Sequence, residues 1–414
     1  MKTKGVAKLG RALGIMLFFF FLVSRLTAQQ VIENSDKPLN KNAGRMLRLE
    51  PVFRITDQGG EWKGKIVTEN GVKIIHNPKT PTLQKGVPST VTLKEELTIG
   101  KDQDKPDLSF FSISSLSVDD SGNIFVVDGK DNKIKIYRGD GSFLRSFGRR
   151  GQGPGEFQGA SQIVILPDGN RIVTDFLGRR LVFFSPKDEF LQQVSTSGFS
   201  IGGIHCDRRG DIYALNVISG PEKRTQELIK FNSNMKPIVT LTLFDEERKP
   251  GVFKPFSLWI RFDVTHRDEL VWAIASKYEI NILNSEGKPV KRIIKDFDPI
   301  KITGAEKERL IREDKQGLPA GFPSPTYEFP PSLPPIKNMF LDDQDRIFVQ
   351  TYEKDGRGGL FYEVFDPEGR YISRFSFPEK EEAVVVKKDN LYSMIRDYKE
   401  GILLVKRYSL TWKF

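Results

Sequence analysis

Two stretches of this 414-residue chain, residues 114–148 and 160–194, each carry four short apolar runs separated by Gly turns and polar loops, with GRRGQGPGEF (148–157) between them. Four short strands per unit at this spacing predict an all-β repeat fold: a six-bladed β-propeller of four-stranded antiparallel blades, its last blade closed by an N-terminal strand.

The first-hairpin turns count the blades. DSGN at 120–123, PDGN at 167–170 and RRGD at 208–211 each separate two apolar runs, and Gly and Asn accept the positive φ that such turns demand. Weaker equivalents follow in HRDE (266–269), DQDR (343–346) and KKDN (387–390), which makes six. Gly122 and Gly169 lie 47 positions apart, Gly169 and Gly210 lie 41 apart, and Asp345 and Asp389 lie 44 apart. The longer intervals hold insertions: a loop near 219–227 and a Pro-rich segment at 296–335, too long for a simple turn. Within the latter, TGAEKERLIRED (303–314) predicts a short helix with Thr303 as N-cap and Glu306 three residues on.

The last unit supplies only three strands before the chain stops. ELTIGKDQDKP (96–106) aligns with FLRSFGRRGQGP (143–154), placing Gly100 on Gly148 and Pro106 on Pro154. Residues 92–99 are therefore expected to complete the sixth blade, which removes open edge strands.

The first 28 residues read as a secretory signal peptide: Lys2, Lys4, Lys8 and Arg11, then twelve apolar residues (12–23), then SRLTA. Twelve residues are too few to span about 30 Å of hydrocarbon. The expected organisation is a signal peptide at 1–28, an extended region at 29–89 packed on the outside or bottom of the ring, and the propeller at 90–414. The mature protein is expected to be periplasmic or extracellular, without a transmembrane span. Without the five basic residues of the leader, the formal charge falls from +10 to +5, which suits an anionic partner and argues against nucleic acid. The single cysteine, Cys206, rules out an intrachain disulfide.

DDSGNIFVVDGKDNKIKIYRGDGSFLRSFGRRGQGPGEF (119–157) resembles the repeat of NHL-type propellers almost throughout. NGVKIIHNPKTP (70–81) and LKEELTIG (93–100) are similar to the segments that precede the first blade in exported bacterial six-bladed β-propeller proteins. The resemblance runs over roughly 70–414, is close in the first two blades and blurred from the third. It implies fold and export, and carries no activity.

Strand order puts the loops between second and third strands at the same end of the ring as the blade-to-blade connections. On that loop face fall Lys130, Lys133, Arg149, Arg150, Arg179 and Arg180, and Arg suits carboxylate or phosphate recognition. The competing reading has Lys133 and Arg180 bracing their blades. Asp128 and Asp175, at identical repeat positions, are expected to accept hydrogen bonds from loop amides. The glycines of GQGPGEF read as backbone requirements, since no helix follows and no Lys-Ser/Thr closes the motif. The 296–335 insertion belongs to the loop face and is expected to rim or cover its mouth.

Metal and hydrolase chemistry finds little support. His76, His205 and His266 occupy non-equivalent positions, so no zinc set converges on the axis. His205 and Asp207 share one side of a strand with Cys206 opposite, and a hydrogen-bonded core histidine is the simpler reading. LDDQDR (341–346) lacks the spacing of a Ca²⁺ loop. Tyr408, Leu410, Trp412 and Phe414 alternate as an ordinary last blade strand would. The expected function is a monomeric, exported, non-catalytic module that binds a protein, peptide or glycan through Lys130, Arg149, Arg150, Arg179 and Arg180. On this reading no catalytic residue, metal ligand or cofactor is expected. The alternative is a propeller hydrolase or lactonase with Ca²⁺ on the ring axis.

Overall fold

The computed structural model describes residues 61–414 apart from 82–86, 88–89, 103, 319–322, 398–399 and 414. The signal peptide assigned to 1–28 lies outside the described residues. Six four-stranded antiparallel units form a ring. Blade one runs through Ile113–Val118, Ile124–Asp128, Lys133–Tyr137 and Phe143–Phe147, from the axis outward. Blade two spans Ala160–Ile165 to Phe190–Ser195, and blade three Ile201–Cys206 to Pro237–Glu247. Blade four spans Ile260–Val264 to Pro289–Lys295, and blade five Asn338–Leu341 to Tyr371–Phe377. Each innermost strand touches the next, and Glu381–Lys387 of blade six meets Ile113–Val118 to complete the circle.

Blade six joins Glu381–Lys387, Asn390–Asp397 and Ile402–Lys413 to Thr90–Ile99, the strand expected from the alignment of Gly100 with Gly148. Gly100 sits at φ +106, and a Cβ there would lie 2.3 Å from the Leu403 carbonyl, so only glycine lets the chain turn away.

Alternating side chains build the core between blades. Phe125, Val127, Ile134 and Ile136 of blade one meet Ile163, Val173, Val182 and Phe184 of blade two, with Phe157 wedged between them and wholly buried. Buried charges pin other seams. Glu363 accepts from the Tyr371 hydroxyl at 3.2 Å and pairs with Lys295 at 3.2 Å, and Tyr278 donates to the same carboxylate. Such groups are tolerated because each is bonded on several sides.

The region before the ring contributes a hairpin, Lys65–Glu69 and Val72–Asn77. Val72–Asn77 adds in parallel to Pro289–Lys295, extending blade four to six strands. Asn77 then reaches blade five, donating to the Gly369 carbonyl at 2.9 Å and accepting from the Tyr371 amide at 2.8 Å.

The turns on the face opposite the loops are bonded to one another. Blades four, five and six carry Asp268, Asp345 and Asp389 where the first three have Gly122, Gly169 and Gly210, and these aspartates also adopt positive φ. All three use their side chains to bridge blades, Asp389 accepting from the Arg346 guanidinium of blade five at 3.2 Å. Asp268 accepts from the Arg208 amide at 3.0 Å and Asp345 from the His266 amide at 2.8 Å. Lys388 continues the chain by donating its amide to Asp343 at 2.8 Å, and Lys387 pairs with Asp120 of blade one at 2.6 Å.

Candidate functional site: the loop face and the axial mouth

The linker between blades one and two owes its shape to Glu156. Its carboxylate accepts from the Gly153 amide at 2.9 Å and pairs with Arg149 at 2.7 Å, while the Gly151 amide closes onto the Phe157 carbonyl at 2.9 Å. These bonds hold the Glu156 carboxyl below its ordinary range, the Gly153 amide first and Arg149 next. The glycines are backbone requirements in this sense: a Cβ on Gly148 would strike the Phe157 ring at 2.4 Å.

The nominated cations divide into two groups. Arg149 is mostly exposed although tied to Glu156, and Lys130, Arg150 and Arg179 are exposed. Arg180 is buried and fully engaged. Its Nε lies 3.0 Å from Asp175, and its other nitrogens donate to the Gln152 carbonyl (2.9 Å), the Gln193 side chain (2.7 Å) and the Glu156 carbonyl (3.0 Å). It is a brace and has no group free for a partner.

Asp175 accepts from the amides of Gln158, Gly159 and Gly178 at 2.8–3.2 Å, and Asp128 from those of Phe111 and Ser112 at 3.0 and 2.9 Å. Both therefore play the repeated amide-accepting part expected of them. Asn216 continues the series in blade three, accepting from the Ser200 amide at 2.8 Å. In blade one, however, the brace is Lys135 and not Lys133. Lys135 is buried against Asp128 at 3.5 Å and donates to the carbonyls of Pro106 and Ser109, whereas Lys133 turns outward to Asp131 at 3.0 Å. The two lysines sit two residues apart on one side of the strand, and only the ammonium at position 135 meets the preceding connection.

The 296–335 insertion leads from blade four to blade five. Its helix, Gly304–Gly317, is capped by Thr303, whose hydroxyl accepts from the Glu306 amide at 3.2 Å. Thr326–Tyr327 pairs in parallel with Val252–Phe253 of the preceding connection, and Tyr327 donates to Asp314 at 2.7 Å. Burial raises the Asp314 carboxyl despite that bond.

Where these connections approach the axis, three donors gather. Arg261 stands near the start of the innermost strand of blade four, Lys337 immediately before that of blade five, and Tyr352 near the loop end of the blade-five second strand. Lys337 lies 5.7 Å from the Tyr352 ring centroid, and Phe256 meets that ring edge-on at 5.6 Å. The Arg261 Nε is buried without a hydrogen-bond partner. Burial pulls both cations below their ordinary values against the opposing pull of Glu379 and Glu382 on Lys337 and of Glu382 on Arg261, and pushes the Tyr352 hydroxyl up to about 12. Glu382, the nearby carboxylate, is committed to Arg396.

Lower in the channel the His205 imidazole donates to Asp263 of blade four at 2.7 Å, not to Asp207. Asp263 also accepts from the amides of Leu341 (2.9 Å) and Val264 (2.8 Å). Burial opposes both charges, but each partner outweighs it: the His205 imidazole is raised and the Asp263 carboxyl lowered. His76 lies exposed on the N-terminal hairpin and His266 on a turn beside Asp345, so the three histidines do not meet. Cys206 is half-buried, and burial pushes its thiol up. Among the described residues, no group of three or more His, Cys, Asp or Glu is placed to hold a metal ion, and no helix is long and apolar enough to cross a membrane.

Six four-stranded blades around one axis make this chain a six-bladed β-propeller. A family model described as a 6-bladed beta-propeller matches residues 105–253, which hold the first three blades. Among solved structures, a Bacteroides fragilis protein inferred to be exported aligns with a TM-score of 0.51 at 10% identity, covering 82% of this chain and all of the other. A virginiamycin B lyase of Staphylococcus aureus aligns at 0.41 and 10% identity, covering 78% of this chain and all of that one. No curated protein matches the sequence.

Proposed function

We propose that the protein is an exported, non-catalytic binding module that recognises an anionic protein, peptide or glycan through its loop face. The observation that carries this reading is the set of exposed cations on the loop ends of blades one and two. On the turn face, Arg208, His266, Lys387 and Lys388 are committed to acceptors on neighbouring blades. On the loop face, Lys130, Arg149, Arg150 and Arg179 are all exposed. Cations in that setting favour an anionic surface through long-range attraction and paired hydrogen bonds. The leader-like first 28 residues support export.

The test replaces Arg150 and Arg179 together by Glu and compares capture of partners from the native cell envelope. Arg149 is left intact because Glu156 depends on it. The expected result is loss of the captured partner, and of the salt dependence of its binding, with an unchanged melting temperature. Normal capture, or a collapse in stability, overturns the assignment.

A further inference from the structure

At the loop-face mouth of the axial channel, Arg261, Lys337 and Tyr352 offer donors and lack acceptors. Arg261 makes no hydrogen bond or ion pair with any described residue, and its Nε is buried. Lys337 touches the Tyr352 ring but forms no ion pair among the described residues. The paired charges around them are already complete: Glu382 with Arg396, Glu379 with Lys354 at 2.9 Å, and Glu353 with Arg374 at 2.8 Å. Among the described residues neither cation has an ion-pair partner of its own, in a place where burial weakens their hydration. A cation held this way is costly unless something completes it.

We propose that Arg261, Lys337 and the Tyr352 hydroxyl form an oxyanion-binding site at the channel mouth, which takes the carboxylate or phosphate group of a ligand whose body lies against Phe256. The guanidinium supplies planar paired donors and the ammonium a point charge, a combination that suits either group. Tyr352 stays protonated at neutral pH, its hydroxyl pushed up to about 12 by burial, and so serves as a donor. Phe256 and Tyr352, edge to face, supply an apolar wall beside the polar end. The site deepens the loop-face reading and rests on it, since both the Val252–Phe253 connection and the insertion that pairs with it run to this mouth.

The experiment is calorimetric titration of the purified protein at low ionic strength with inorganic phosphate and, separately, with glucuronate. Saturable binding of one or both is expected. Phosphate alone assigns a phosphate group, and glucuronate alone assigns a carboxylate. R261M and K337M are each expected to weaken that binding at least tenfold, and Y352F to weaken it less. R261M is also expected to melt higher than wild type without ligand, because an uncompensated charge is gone; a brace would melt lower. Absence of binding by both probes, or binding that survives R261M and K337M, overturns the site. If envelope capture still depends on Arg150 and Arg179, the loop-face reading stands while this site falls.

Discussion

Asp175 and Arg180 allow the bracing argument to be worked through quantitatively. Asp175 is fully buried and serves three loop amides as well as the guanidinium, so D175A leaves those amides and a buried cation without their acceptor. Breaking a buried pair from one side costs about 3–5 kcal/mol. Arg180 keeps its bonds to Gln152, Gln193 and Glu156, which solvate the orphaned charge in part, and about 4 kcal/mol is expected. R180M removes the other partner, yet the carboxylate retains its three amide donors, and the methionine refills much of the volume. About 2 kcal/mol is expected for it, by the same reasoning. Equilibrium urea unfolding of the two variants decides the matter, read as a midpoint shift at constant slope. If R180M costs as much as D175A, or both cost under about 1 kcal/mol, the carboxylate is not the organising centre of this corner.

Other substitutions probe separate seams. D345G relieves a left-handed aspartate but removes the acceptor for the His266 amide, so a net loss of about 1 kcal/mol is expected in thermal melts, with D345N near neutral; a stabilised D345G would show that the inter-turn bond contributes nothing. N77A strands two buried backbone groups on blade five and is expected to cost about 2–3 kcal/mol, with hydrogen exchange accelerated first across Val72–Asn77; unchanged exchange there would refute the clasp. The His205–Asp263 pair contributes a pH-dependent increment. The raised imidazole stabilises fully below its unfolded value of about 6.5 and loses that contribution as pH rises through the higher folded one, and the lowered carboxyl loses its own as pH falls through a value below the ordinary carboxylate range. The melting-temperature difference between wild type and H205N is thus expected to be largest near pH 5–6 and to shrink toward pH 9, whereas a flat difference would mean the pair stays neutral.

Closure by Thr90–Ile99 was legible because a Gly and a Pro recurred in step with the next repeat, and repeated backbone needs leave repeated residues. The helix start at Thr303 was legible because capping is local chemistry. The choice between Lys133 and Lys135 was not, since reach to the Pro106 and Ser109 carbonyls is a property of the assembled corner. The N-terminal hairpin had a signal that went unused: Asn70 and Gly71 take φ of 50 and 82, the left-handed pair that an Asn-Gly hairpin turn requires. Its parallel seat on blade four left no trace, because parallel partners need no shared turn. The mouth formed by Arg261, Lys337 and Tyr352 was hidden for another reason. Arg261 belongs to blade four and Lys337 and Tyr352 to blade five, at three positions that do not coincide when one repeat is laid on the next.

The last blade also sets an order on how the molecule can be made. Lys406 bonds to Glu95 across 311 residues of chain, and Tyr371 to Asn77 across 294. A polypeptide that emerges amino end first must carry Thr90–Ile99 without its sheet neighbour until Ile402–Lys413 has appeared. Pairings so distant are slow to find, because the loop they close is long. Blades one to three, whose strands are sequential neighbours, can condense early, but the ring itself cannot close before Ile402–Lys413 has been made. Loss of Ile402–Lys413 would therefore release Thr90–Ile99 as well and open the ring at blade six.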